Sequence, residues 1–140
     1  MTYILVIGDS ITYGAWDFEK GGWAQRLRLF LDRKVEEDNN KFFVTYVLGI
    51  DGHSTEDWLP IINSEIETRI KIARKYNESS IIIIALGAND ALYVGSKKEN
   101  MVPQQKFVEN MKQIIKISRK FTKNVICVGI PPCRDEKAPN

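Results

Sequence analysis

A chain of 140 residues has room for one domain, read here as spanning 1–140. Its 44% hydrophobic and 27% charged residues are globular proportions, and a net charge of +2, with Lys and Arg scattered among Asp and Glu, lacks the basic stripe of a nucleic-acid binder. The longest apolar run, residues 81–86, is too short to span a bilayer, and the N-terminus shows no secretory signal, so a cytoplasmic location is the default.

The first apolar run is Tyr3–Gly8, followed by Gly8-Asp9-Ser10-Ile11-Thr12. Roughly a dozen residues then separate Ser10 from the first helical pattern, a longer connection than the tight strand-to-helix elbow of G-x-S-x-G hydrolases. Tyr13, Trp16 and Phe18 in that loop are candidates for the aromatic wall of a pocket. Trp23, Leu27, Phe30, Leu31 and Val35 then repeat at a helical period.

A second apolar run, Phe42–Leu48, leads into Gly49-Ile50-Asp51-Gly52-His53-Ser54. Trp58, Ile62, Ile66, Ile70 and Ala73 predict a second helix, capped by Ser54 or Thr55 with Glu56 and Asp57 in its first turn. The third run, Ile81–Leu86, opens into Gly87-Ala88-Asn89-Asp90. Phe107, Met111, Ile114, Ser118 and Phe121 mark a third helix, with Pro103 suited to its first turn. A fourth run, Val125–Ile130, precedes a polar, Pro-rich tail that reads as a loop.

The four runs are short, rich in Ile, Val and Phe, and continuous rather than alternating. That is the pattern of parallel strands buried on both faces. Strict strand–helix alternation makes the fold α/β, with helices on both faces of a parallel sheet. In such sheets ligands bind beyond the carboxyl ends of the strands. Three of the four loops there carry glycine and small polar residues. None has the G-x-x-x-x-G-K or G-x-G-x-x-G pattern of a phosphate cradle.

There are two cysteines and one histidine. Cys127, inside an apolar run, reads as a small core residue and Cys133 as a second free thiol. With one distant histidine they make no zinc site.

The blocks Gly8-Asp9-Ser10-Ile11-Thr12, Gly52 within LGIDGHSTEDWL, and Gly87-Ala88-Asn89-Asp90 resemble the first three blocks of the GDSL or SGNH hydrolases. They stand in the family's order, each after a strand, and the resemblance covers essentially the whole chain. It implies a flavodoxin-like three-layer α/β/α fold with the second and third strands flanking the first. It also implies a serine esterase that forms an acyl-enzyme on Ser10. The N–H groups of Ser10 and Gly52 and the side-chain amide of Asn89 would form the oxyanion hole. Asp9 and Asp90 would fix the loops, and no metal or organic cofactor is implied.

The family's base is a histidine in an Asp-x-x-His block near the C-terminus, and this sequence has no such block. The sequence therefore looks truncated before that block, which leaves the last strand short of cover and the oligomeric state open. His53 is a poor substitute base, because a neighbour of Gly52 tends to project away from Ser10. Two classes of function stand. One is a serine hydrolase of carboxylic esters, among them short-chain acyl, acetyl-sugar, lysophospholipid and thioester substrates. The other is a non-catalytic binder of acyl or carbohydrate groups, or a half-enzyme completed by a partner that brings the histidine.

Overall fold

The computed structural model of the chain describes residues 1–130. The tail, with Cys133, lies outside the described residues. In chain order the elements are β1 (Thr2–Gly8), α1 (Ser10–Tyr13), α2 (Trp23–Glu37), β2 (Phe43–Gly49), α3 (Thr55–Trp58), α4 (Ile62–Lys75), β3 (Ser79–Ala85), β4 (Tyr93–Val94), β5 (Glu99–Asn100), α5 (Gln104–Ser118) and β6 (Val125–Cys127).

The main sheet is parallel, in the order β2-β1-β3-β6, so β1 is flanked by β2 and β3 as the resemblance implied. Side chains alternate across it. Tyr3, Leu5 and Ile7 join Ile82 and Ile84 under α4 and α5, through Ile62, Ile66, Ile70 and Ile114. Ile4 and Val6 meet Ala24 of α2 on the other face. The layers are α/β/α, the architecture expected from the sequence.

Four details differ from the sequence reading. The predicted second helix is two: α3 ends at Trp58 and α4 begins at Ile62. Pro60 lies in the break, where a ring in place of an N–H cannot continue the ladder. Trp58 nevertheless enters the same cluster as Ile62 and Ile66, fully buried. β6 stops at Cys127, although the Val128 N–H still donates to the Ile84 carbonyl at 2.8 Å. Cys127 is exposed rather than in the core, because among the described residues β6 is the sheet edge. The short β4–β5 hairpin gave no sequence signal, its strands being two residues each.

The faces are covered unequally among the described residues. Two helices, α4 and α5, serve one face, while α2 serves the other. Ile126 is 50% exposed in consequence.

Candidate active site

The register places the site. Gly8 stands opposite both Gly49 and Ala85, so three strands end level and release their loops at one edge. Ser10 lies two residues past that line, Gly52 three residues past it and Asn89 four.

Ser10 does not sit in a long loop. It opens α1, one helical turn seated on the strand ends. The turn forms at once because Asp9 caps it, its Oδ1 accepting the Ile11 N–H at 2.9 Å. The close seating needs a glycine at 49, where a Cβ would lie 2.2 Å from the Tyr13 nitrogen. Ser10 itself is half-buried.

Asp9 is buried, and burial is the main reason its carboxyl is pushed above the ordinary carboxylate range. N–H bonds from Ile11 and Thr12 oppose the rise, and the nearby Asp90 adds to it. A raised folded-state pKa means that the native state holds this proton longer than the unfolded chain. Asp9 therefore weakens the fold as pH climbs from the usual carboxylate value through the raised one. Asp9→Asn keeps an acceptor for the Ile11 N–H and carries no charge. Its stability relative to wild type is expected to grow with pH across that window and then level off. Urea melts between about pH 3 and about pH 8 measure this; a flat difference would refute the raised pKa of Asp9.

The second loop turns at Gly52, where φ is +70°. A Cβ there would meet nothing within 4 Å, so the backbone conformation rather than space calls for glycine. The Ile50 N–H donates to the Gly8 carbonyl at 3.1 Å and so ties this loop to β1. Ser54 then caps α3 in a reciprocal box with Asp57, and that pair of bonds to Ser54 holds the Asp57 carboxyl below the usual range. The His53 ring packs edge-on against Trp58, with centroids 6.1 Å apart, and its Nδ1 lies 3.3 Å from the Asp51 carbonyl oxygen.

The third loop is stitched to the second. The Asn89 amide Nδ2 donates to the His53 carbonyl at 3.0 Å. The Thr55 N–H donates to both Asp90 oxygens at 3.1 Å, and the Thr55 hydroxyl donates to Asp90 Oδ1. Asn110 of α5 donates to the same hydroxyl oxygen at 3.0 Å. Trp58 Nε1 donates to the Gly8 carbonyl at 3.0 Å. The sequence reading had Thr55 only as a possible helix cap and Trp58 only as a stripe residue, and it did not single out Asn110. The available signal was Asn110, an amide beside Phe107, Met111 and Ile114 on the stripe that marks α5.

An apolar cleft of about 300 Å³ opens beside the first loop, bounded by Asp9, Ile11, Trp23, Ala88, Val128 and Ile130. The expected aromatic wall is a different one. Trp16 is 70% exposed and Phe18 94%, and Trp23 lines the cleft instead. Asp17 folds the intervening loop onto itself by accepting from the Lys20 and Gly22 N–H groups and from Arg26, which leaves those rings outside.

With these loops in place, the sequence profile of the GDSL-like lipase/acylhydrolase family matches residues 6–140. The chain belongs to that family. Its sequence is 28% identical over 116 residues to an isoamyl acetate-hydrolyzing esterase 1 homolog of Bos taurus, covering 83% of this chain and 41% of the relative. Its fold is similar to that of AlinE4, an SGNH-hydrolase family esterase, with a TM-score of 0.70 at 17% identity over 98% of this chain and 63% of the other. It is also similar to a lipase/acylhydrolase from Enterococcus faecalis, with a TM-score of 0.59 at 24% identity over 91% and 56%. The chain thus spans less than two thirds of the length of each of these three proteins. Among the described residues no helix is long and apolar enough to cross a membrane.

Proposed function

We propose that the chain is the nucleophile-bearing part of a serine esterase for carboxylic esters. One observation carries the reading: the shared register of β1, β2 and β3 delivers Ser10, Gly52 and Asn89 to one edge. In this reading the Ser10 oxygen attacks the ester carbonyl and a base takes its proton. The carbonyl oxygen becomes an oxyanion, then the bond to the alcohol breaks as the base returns the proton to the departing oxygen, and an acyl group stays on Ser10. Water releases the acid and restores the serine.

Three donors are suited to the oxyanion. The Ser10 N–H opens a helical turn and has no acceptor within it. The Gly52 N–H lies on a turn and donates to no backbone carbonyl among the described residues. Asn89 spends one amide hydrogen on the His53 carbonyl, which fixes the group and leaves the second hydrogen for substrate. Asp9 and Asp90 fix the loops that carry these donors. The substrates are small esters with a short acyl chain, in keeping with a cleft of about 300 Å³ beside Ile11 and Trp23.

His53 is engaged with Trp58 and the Asp51 carbonyl, so in this reading it is not the base for Ser10. The same observation favours a second reading, in which the chain binds acyl groups without turnover until a histidine is supplied from elsewhere. Labelling with an organophosphate ester tests both. A phosphoryl adduct on Ser10, formed equally fast in His53→Ala and read by peptide mass, is the expected result. No adduct on Ser10 would leave the binding reading standing, and a rate lost in His53→Ala would make His53 the base.

A further inference from the structure

Thr55, Asp90 and Asn110 form a buried polar group that joins three elements. Thr55 and Asn110 are fully buried and Asp90 nearly so. The Asn110 Oδ1 is buried without a partner among the described residues. For packing alone this is a poor choice, since an unpaired buried polar atom is costly; Ser118, the other buried polar residue of α5, is satisfied by donating to the Ile114 carbonyl. A leucine at 110 would suit the core better, so the role of the asparagine lies in what its amide holds.

Its direction of donation shows what that is. Asn110 Nδ2 donates into the Thr55 hydroxyl oxygen, which leaves the hydroxyl hydrogen for Asp90 Oδ1. The Thr55 N–H reinforces the same carboxylate. Asp90 is the neighbour of Asn89, and Asn89 reaches back to the carbonyl of His53, two residues before Thr55. The bonds thus close a ring between segments 53–55 and 89–90, and α5 clamps that ring from outside.

We infer that Asn110 and Thr55 are positioning residues that hold the Asn89 amide in its donating orientation. The inference deepens the esterase reading and rests on it for its effect on rate. Its structural content is independent of turnover. A small misplacement of an oxyanion donor, caused by a substitution away from the bond being broken, lowers the rate without weakening ground-state binding.

The test uses Thr55→Val, which removes the hydroxyl at nearly constant volume, Asn110→Leu, and Thr55→Ser as the conservative control. The first readout is the pair of Asn89 side-chain amide resonances, identified by their loss in Asn89→Asp. In Thr55→Val and Asn110→Leu the pair is expected to shift towards the values of a free amide and to exchange faster with solvent. In Thr55→Ser it stays in place. The second readout is organophosphate labelling of Ser10, expected to slow by about 10- to 100-fold in the first two variants and to recover in the third. Unmoved resonances in a folded Thr55→Val or Asn110→Leu would overturn the inference. Moved resonances in a chain whose wild type is never labelled would uphold the positioning and overturn the esterase reading. Should Thr55→Val not fold, Asn110→Leu decides, since it leaves the Thr55–Asp90 bonds in place.

Discussion

Wherever the protein, supplied with its base, hydrolyses an activated acetate ester, replacing Ser10 by alanine is expected to abolish that hydrolysis while leaving the fold intact. The structural part follows from the local bonds. The caps of α1 are the Asp9 carboxylate and Gly14, and neither involves the Ser10 hydroxyl. Alanine is also the better helix former. The chemical part follows from the mechanism. Without the oxygen no acyl-enzyme forms, and only the oxyanion donors and binding remain. Such remnants typically keep about 10³–10⁴-fold over water, far below a working serine hydrolase. The measurement is initial-rate hydrolysis beside a thermal melt of the same preparation. A loss smaller than about tenfold with an unchanged melt would show a passive cleft rather than a nucleophile.

The parts of this fold legible in the sequence were those set by one-dimensional periodicity. Continuous Ile and Val runs announced the parallel strands, and the stripe Ile62, Ile66, Ile70 and Ala73 announced α4. Of those strands only β1 is buried on both faces, because among the described residues β3 alternates between buried and half-buried positions from Ser80 onward and β2 and β6 form the sheet edges. The glycines at the strand ends located the site loops. What stayed hidden depends on contacts between distant segments. That Ser10 opens a helical turn follows from the Asp9 cap together with the room left at Gly49, which lies on another strand. That Trp16 and Phe18 face outward follows from how Asp17 gathers its own loop. The Thr55–Asp90–Asn110 group spans 55 positions between Thr55 and Asn110, beyond the reach of any local pattern. The exposure of Cys127 is a matter of sheet order, since the same apolar run on a central strand would have been covered.

The site and the core meet at Trp58, and its replacement carries the largest expected cost in stability. The indole is fully buried among Leu5, Ile7, Ile62 and Ile66 on one side of the sheet. Its Nε1 donates to the carbonyl of Gly8, the last residue of β1 before Asp9 and Ser10. Trp58→Ala removes the ring and opens a cavity, a change that costs about 3–5 kcal/mol in comparable cores. Against a total stability of about 5–15 kcal/mol, that leaves the chain close to unfolding. Trp58→Phe separates the two contributions. It keeps most of the volume and loses the bond, but the Gly8 carbonyl still accepts the Ile50 N–H at 3.1 Å and is not orphaned. Its cost is expected near 1 kcal/mol, the net worth of an ordinary hydrogen bond. Urea melts of the two variants give the comparison. Similar costs would mean that the Gly8 bond, rather than packing, dominates at this position. The expected inequality means that the core holds the ring, while the ring's single polar atom holds the end of β1 from which the Ser10 loop departs.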